Sequence, residues 1–169
     1  FITRVCEGTL EYRLRLDYII DQFATVPAEK MKPVIRELLR SSVYQLLYMD
    51  NVPDSAVCNE AVKLARKKGF YNLTGFVNGV LRKIAREYGS IRFPGKDKPV
   101  EYLSVIYSMP KWLTERFLEE YGFETTEKIL EAFLEESPTT VRIREYQVEE
   151  AAVLESLKEE GVETEPAPY

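Results

Sequence analysis

The sequence contains no histidine, which removes the commonest general base and the commonest metal ligand from its 169 residues. It has two cysteines, Cys6 and Cys58, and neither lies in a CxxC or Cys/His spacing. Both fall within helical patterns, so we expect reduced thiols that line the core, with a disulfide or a metal role as the alternative. The residue types therefore predict no metal site.

Long apolar runs and glycine clusters are also missing. No stretch approaches the roughly 20 apolar residues that a membrane-spanning helix needs, and no basic-then-apolar signal segment opens the chain. We therefore expect a cytoplasmic protein without a membrane partner. The eight glycines do not form the Gly-rich turn that marks most nucleotide-type cofactor pockets, so we expect no cofactor-binding residue and no catalytic residue here.

Charge is abundant, and it is distributed unevenly along the chain. Residues 1–90 carry 14 Lys and Arg against 10 Asp and Glu, whereas residues 91–169 carry 9 against 18. A basic first half joined to an acidic second half predicts two units with different surfaces. The simpler interpretation of the acidic half is a set of solvated helix faces.

The first 89 residues predict an all-helical domain. Apolar residues recur at helical spacing in residues 1–24, from Pro33 onward, in residues 54–68 and from Leu73 to about residue 88. Pro33 suits a first helical turn, Asp54 or Ser55 can cap the following helix, and a helix end is expected at Gly69.

Several residues stand out against these helical patterns. Gly75 and Gly79 lie four apart within one helix, where each glycine costs about 1 kcal/mol relative to alanine. We expect close helix packing there, with a ligand contact as the alternative. Four polar or aromatic residues are expected to play structural roles, as partners of buried polar groups or as a core anchor; they are Asn59, Glu60, Asn78 and Trp112. The alternative is a functional role, which for Trp112 would be base stacking.

Residues 90–98 are polar and contain Pro and Gly, which predicts a linker to a second region, residues 99–169. Helices are expected at about 99–107, 109–121 and 125–136, with Ser108 and Thr125 as caps. Residues 140–144 and 162–165 alternate like strands, and residues 147–160 between them predict an amphipathic helix. Two strands do not make a stable sheet.

The predicted fold class is therefore mainly α: a helical bundle followed by a small β-α-β subdomain that is incomplete at the C-terminus. Residue 1 lies inside an apolar helical pattern without an initiator Met. We expect the chain to be a segment of a longer protein.

Three stretches of the first half resemble the consecutive helices of the NusB-like domain. They are residues 38–50 (LLRSSVYQLLYMD), 59–66 (NEAVKLAR) and 75–82 (GFVNGVLR). This all-helical, RNA-binding domain occurs in the antitermination factor NusB and at the N-terminus of the RsmB (Sun) methyltransferases. The resemblance covers residues 1–89.

The second half resembles RsmB alone. Residues 107–113 (YSMPKWL), the pair Tyr121-Gly122 and residues 137–143 (SPTTVRI) look like the segment that joins the NusB-like domain to the catalytic domain of that family. Two positions depart from the family pattern. Lys32 stands where an Asp cap is common, and Arg144 stands where Asn is usual.

The resemblance implies the RNA-binding N-terminal region of an S-adenosylmethionine-dependent enzyme that methylates cytosine C5 in small-subunit (16S) rRNA. The family's S-adenosylmethionine loop and two catalytic cysteines lie further on, so we expect this chain alone to be inactive. The implied partners are rRNA and the protein's own downstream catalytic domain, with no DNA expected. The alternative is a NusB-type antitermination module that binds RNA and protein and belongs to no enzyme.

The RNA contacts implied by the resemblance fall on basic residues. Six lie in one turn and one helix of the first domain, and two lie on the first predicted strand. These candidates are Arg66, Lys67, Lys68, Arg82, Lys83, Arg86, Arg142 and Arg144. The alternative is that they merely solvate helix ends.

A first prediction concerns the cofactor. Because the sequence has no Gly-rich cofactor turn, the purified chain should show no binding heat when S-adenosylmethionine is titrated into it by calorimetry. Saturable binding at micromolar cofactor would contradict this prediction. The full-length gene product serves as the positive control.

Overall fold

The computed structural model describes residues 1–135, 140–144 and 149–166. The chain divides into two compact units, residues 1–134 and residues 135–169. Residues 90–98, predicted as a linker, run from the end of the first domain to the next helix. A domain division at this segment stays a prediction.

Helices account for all the regular structure in the described residues, so the predicted mainly-α class is confirmed. None of them is long and apolar enough to cross a membrane. Three 3-10 turns separate some of them: Ala28–Lys30, Tyr71–Leu73 and Tyr88–Ser90. The α-helices are α1 (Ile2–Glu11), α2 (Arg13–Phe23), α3 (Pro33–Tyr48), α4 (Asp54–Lys67), α5 (Thr74–Glu87), α6 (Pro99–Ile106), α7 (Lys111–Ala132) and α8 (Glu150–Glu159).

The core of the first unit surrounds α3, which contacts α1, α2, α4 and α5. Its fully buried side chains are the apolar residues whose helical spacing predicted these helices. They include Leu16, Ile19, Ile20, Ile35, Leu39, Val43, Val77, Leu81 and Ile84. Beyond this core, α6 packs against α2 and α7 packs against α6.

A buried ion pair links α2 to α3. The guanidinium of Arg40 is buried, and its Nε donates to Oδ1 of Asp17 at 2.7 Å. A second nitrogen donates to the other oxygen of Asp17, and Nη1 donates to Glu37 at 2.7 Å. Burial would raise the pKa of Glu37, but hydrogen bonds from Arg40 and Arg36 outweigh it and hold the pKa below its ordinary value. Both acids stabilise a cation that would be costly to bury alone.

Glycine ends α4 as predicted. Gly69 has a φ of +83°, and its N–H donates to the carbonyl of Arg66 at 2.9 Å. The N–H of Phe70 donates to the carbonyl of Ala65 at 2.9 Å, which completes a Schellman motif. The start of α4 differs from the prediction, because Asp54 is its first residue and Pro53 occupies the cap position without a side-chain hydrogen bond.

Ser108 does not cap the helix that follows it. It adopts a φ of +53°, and its Oγ accepts a hydrogen bond from the backbone N–H of Leu14 at 3.0 Å. Leu14 is the second residue of α2, so this N–H lacks a partner within its own helix. The serine therefore caps a helix 94 positions away in sequence. Only the tertiary fold brings the two together.

α7 comprises two helical segments, as predicted, and they meet at Gly122, whose φ of +72° and ψ of 175° are not helical. Thr125 lies inside the second segment and not at its cap position, contrary to the prediction. A positive φ is the conformation that glycine adopts without strain. The predicted division between the two helices is therefore confirmed, and the second helix begins directly after Gly122.

Gly75 and Gly79 do not mark a close helix contact, contrary to the prediction. A Cβ added at either position would meet no neighbouring atom within 4 Å. Gly8 does lie at a close contact between helices, since a Cβ there would collide with the ring of Tyr44 in α3. The contact at Gly8 could not be predicted, because a helical pattern does not reveal which face of α1 meets an aromatic ring.

Because Gly8 has no side chain, it leaves room for a stack of tyrosine rings between α1, α2 and α3. The ring centroids of Tyr12 and Tyr48 lie 4.6 Å apart, and those of Tyr44 and Tyr48 lie 5.1 Å apart. Burial raises the pKa of Tyr48 to about 12, so this phenol is neutral at physiological pH. The guanidinium of Arg15 lies 5.9 Å from its ring centroid, which adds a cation–π contact.

Several other predicted roles are wrong. Cys6 is exposed, whereas Cys58 is buried as expected. Trp112 is 65% exposed and anchors no core. Asn59 and Glu60 are exposed as well, so they satisfy no buried group. Asn59 and Glu60 lie on the solvent side of α4. Periodicity alone does not distinguish such a position from a polar position inside the core.

In its described residues, the second unit consists of α8 and segments without regular secondary structure. α8 ends in a Schellman motif, with Gly161 at a φ of +77° and the N–H of Val162 donating to the carbonyl of Leu157 at 2.9 Å. The predicted strands at residues 140–144 and 162–165 are not formed. A strand needs a neighbour to complete its hydrogen bonds, and no described residue supplies one.

The glycine findings yield a paired stability prediction. Gly79→Ala should leave the free energy of unfolding unchanged or raise it by up to about 1 kcal/mol, because alanine favours the helix and meets no atom. Gly8→Ala should destabilise the chain by about 1–3 kcal/mol, because the new methyl overpacks against Tyr44. Urea unfolding measures both. A larger loss for Gly79→Ala than for Gly8→Ala would show that the two surfaces have been assigned wrongly.

The remote cap on α2 yields a third prediction. Ser108→Ala should cost about 1 kcal/mol, the usual loss when a helix-capping oxygen is removed. Ser108→Asn should lose less, because asparagine keeps an oxygen acceptor and tolerates positive φ. Unfolding in urea and hydrogen exchange of the Leu14 amide measure the effect. Equal Leu14 exchange rates in the wild type and in Ser108→Ala would contradict the cap.

Candidate nucleic-acid interface

A groove of about 390 Å³ runs between α4 and α5. Its lining is polar and basic, with one aliphatic side chain and one glycine. The lining residues are Asn59, Val62, Lys63 and Arg66 from α4, and Thr74, Gly75, Asn78 and Arg82 from α5.

The positions of these residues follow from helix periodicity. In α5 the buried residues Val77, Val80, Leu81 and Ile84 recur at spacings of three and four, which directs the intervening positions toward solvent. In α4 the buried residues are Val57, Cys58, Ala61 and Ala65. Each helix therefore presents a polar edge beside its buried face, and the two edges form the groove.

One hydrogen bond orders the wall that α5 contributes. The Nε of Arg82 donates to Oδ1 of Asn78 at 3.0 Å, one turn earlier in the same helix. This contact restrains the guanidinium, whose other nitrogens remain donors. Gly75, one turn before Asn78, has open space where a side chain would project. The backbone is therefore accessible at this part of the groove.

The groove has a positive charge. Lys63 pairs with Glu60, with Nζ 2.7 Å from Oε1, and both side chains are highly exposed. Arg66 and Arg82 form no ion pair within the part of the chain that the structure describes. Their charges are thus available to an anion, and the groove offers many more hydrogen-bond donors than acceptors.

Cys58, one position before Asn59, has no catalytic character. Burial raises the pKa of its thiol, and the nearby cation of Arg82 only partly offsets that effect. A buried, protonated thiol is a poor nucleophile. Among residues 1–135, 140–144 and 149–166, no group of three acidic or cysteine side chains could hold a metal ion. The N–H donors of the groove suit the binding of an anion.

The structure brings only two of the predicted RNA-contacting residues into this groove, Arg66 and Arg82. Lys67 instead lines a more apolar groove between α3 and α4. Lys68 caps the end of α4 and is exposed. These residues are neighbours in sequence, but the helical turn points them in different directions.

The remaining candidates lie apart from the groove lining. Lys83 lies with Nζ 5.6 Å from the ring centroid of Phe23, on the side of α5 that faces α2. In the last turn of α5, Nη2 of Arg86 lies 3.9 Å from Oε1 of Glu87. Arg142 and Arg144 are exposed in the second unit. The assignment of these residues to RNA contacts stays a prediction.

Sequence reasoning did not place Asn59, Lys63, Thr74 or Asn78 in a site. The available signal was their spacing. Asn59, Lys63 and Arg66 recur at intervals of four and three on α4, and Asn78 and Arg82 lie four apart on α5. Such intervals put residues on one helix face. What the spacing could not show is that the two faces border the same groove.

Two family models match the chain. Residues 1–86 match the NusB family, and residues 109–169 match the Methyltr_RsmF/B-like, ferredoxin-like domain. The NusB match includes all of the groove, because α4 and α5 lie within it almost entirely.

Curated relatives fall into two groups. The chain is 38% identical over 164 residues to the probable ribosomal RNA small subunit methyltransferase B of Bacillus subtilis, and 32% identical over 167 residues to that of Synechocystis sp.. Each alignment covers 97% of this chain and 36% of the relative. The transcription antitermination protein NusB of Acidothermus cellulolyticus is 37% identical over 92 residues, which cover 54% of this chain and 63% of that protein.

The chain thus spans about a third of the length of the methyltransferase relatives, and nearly all of it is aligned with them. With residues 1–86 matching its model, the chain belongs to the NusB family, and residues 109–169 carry the ferredoxin-like domain of the RsmF/B type.

Proposed function

We propose that this chain is the RNA-binding region of a small-subunit rRNA methyltransferase, and that it positions rRNA for a catalytic domain of the same protein. The observation that carries the proposal is the α4–α5 groove, whose arginines are free of acidic partners among the described residues. Two curated relatives that align with nearly the whole chain are named as small-subunit rRNA methyltransferases, which supports the substrate class.

The groove suits a phosphate backbone. Arginine presents several N–H donors in a fixed plane that matches a phosphate, and phosphate contacts supply most of the affinity of RNA-binding surfaces. The groove lies in the basic half of the chain, where Lys and Arg outnumber Asp and Glu by 14 to 10. The acidic second half would repel RNA over much of its own surface.

The finer parts of the proposal concern the whole enzyme. We infer that the reaction transfers a methyl group from S-adenosylmethionine to C5 of a cytosine in 16S rRNA, in a domain beyond the matched segment. In this division of labour, residues 1–169 bind and orient RNA and perform no chemical step. The shared alignment with methyltransferase relatives over 97% of the chain supports such a division.

An antitermination module of the NusB type is the second candidate, because NusB proteins align with the first half of the chain. The ferredoxin-like match over residues 109–169 favours the methyltransferase. The two functions differ in an assay of the full-length gene product. The first predicts methylation of small-subunit rRNA, and the second predicts none.

A fourth prediction tests RNA binding by the groove. The double variant Arg66→Glu, Arg82→Glu should weaken binding of a single-stranded rRNA segment by tenfold or more, since it reverses both unpaired charges. If each arginine contacts one phosphate, the slope of log affinity against log salt should flatten by about 1.4. Fluorescence anisotropy at several salt concentrations measures both quantities.

The matched control is Arg13→Glu, Lys32→Glu, which changes the total charge equally at two exposed positions outside the groove. It should lower affinity only slightly and leave the slope nearly unchanged. Equal losses in both variants would mean that net charge alone attracts the RNA. An unaltered affinity in the groove variant would exclude the groove as the RNA-binding surface.

A further inference from the structure

The amide side chains of the α4–α5 groove have a role that the arginines cannot fill. We propose that Asn59 and Asn78 make this groove selective for single-stranded RNA over single-stranded DNA, through hydrogen bonds to ribose 2′-hydroxyl groups. The inference rests on the proposed RNA-binding function and deepens it. It assigns the phosphates to Arg66 and Arg82, and the sugars to the two asparagines.

The orientation of the Asn78 amide follows from its partner. The Nε of Arg82 can only donate a hydrogen bond, so the atom that faces it at 3.0 Å must be the amide oxygen. The NH₂ group of Asn78 is therefore directed away from the guanidinium. Because Asn78 lines the groove, its two N–H donors are available to a ligand that carries an acceptor oxygen.

Asn59 supplies the complementary group on α4. Its side chain is exposed, lines the same groove, and makes no hydrogen bond to another described residue. It therefore offers both a carbonyl acceptor and an NH₂ donor. The neighbouring cations Lys63, Arg66 and Arg82 have no acceptor at all. The Asn59 oxygen is thus one of few acceptors that the lining can offer.

A ribose 2′-hydroxyl matches this pair of amides. It both donates and accepts a hydrogen bond, and it is the group that distinguishes RNA from DNA at a protein site. A phosphate oxygen only accepts and would leave the carbonyl of Asn59 without a partner. Arginine contacts to phosphate carry no information about the sugar. Selectivity for RNA must therefore come from a group such as these amides.

The groove is large enough for part of a single strand. Its volume of about 390 Å³ is in the range of pockets for small ligands, which is enough for one nucleotide unit. Single-stranded segments are also the usual targets of RNA recognition by side chains, since their sugars and bases are accessible.

The test compares four single-stranded probes of one base sequence: RNA, DNA, 2′-fluoro RNA and 2′-O-methyl RNA. The wild-type chain should bind the RNA probe about tenfold more tightly than each of the others. The fluoro probe keeps a ribose-like sugar but cannot donate a hydrogen bond, so it separates hydrogen bonding from sugar shape. These wild-type measurements test the inference without any variant.

Variants then assign the preference to residues. Asn59→Ala should lower the RNA-to-DNA affinity ratio by about three- to tenfold, with DNA affinity unchanged, because the loss of one hydrogen-bonding group affects only the probe that carries the hydroxyl. Asn78→Ala should lower the same ratio and also weaken both probes, since Arg82 loses its restraint. Arg66→Ala should weaken both probes equally and leave the ratio unchanged. Thermal melting confirms that each variant is folded.

The outcomes separate the inference from the proposed function. Equal wild-type affinity for RNA and DNA, or an unchanged ratio in Asn59→Ala and Asn78→Ala, overturns the inference while RNA binding by the groove stands. Failure of the Arg66→Glu, Arg82→Glu variant to weaken binding overturns the groove itself. Tight wild-type binding of the 2′-fluoro probe would show that sugar shape, and not hydrogen bonding, is recognised.

Discussion

The burial of one face of α5 is the constraint on which the rest of the site depends. Val77, Val80, Leu81 and Ile84 pack into the core, and their burial removes a large apolar area from water. Because the helix is rigid, fixing this face also fixes the opposite one. Asn78 and Arg82 must then lie toward solvent, beside the polar edge of α4. The polar edge of the groove is therefore a consequence of how the buried side of α5 packs.

Around this core, polar contacts determine how the helices meet. The Asp17–Arg40 ion pair joins α2 to α3, and the Gly8 contact lets α1 approach the tyrosine stack. The hydrogen bond from Leu14 to Ser108 and the one from the N–H of Arg92 to Gln22 Oε1, at 3.0 Å, connect later segments to α2. The segment after the NusB match is therefore attached to the bundle by specific hydrogen bonds as well as by packing.

The electrostatic character of the groove fits the binding of an anion. It concentrates N–H donors, and its two guanidinium groups have no acidic partner among the described residues. Such a surface is suited to the phosphate contacts that the proposed function assigns to it.

Much of the fold could be predicted from the sequence, because it depends on local chemistry. Helical periodicity located α3 to α6 and α8, and it marked residues 1–24 as helical without showing the break at Tyr12 between α1 and α2. Gly69 ended α4, and the resemblance of residues 38–50, 59–66 and 75–82 indicated the NusB family. The sequence also indicated that Arg66 and Arg82 could bind RNA, although that role is still a prediction. These features are encoded within a few turns of one helix.

Only the tertiary structure determined which distant residues are in contact and which way the polar side chains are oriented. Spacing could not show that Gly8, rather than Gly79, meets another helix, or that Ser108 caps α2 across 94 positions. Spacing also could not show that Asn59 and Asn78 line one groove. Nor could it show that Lys67 lines a different groove from its neighbour Arg66. Periodicity specifies which residues share a face of a helix, but only packing specifies what that face meets.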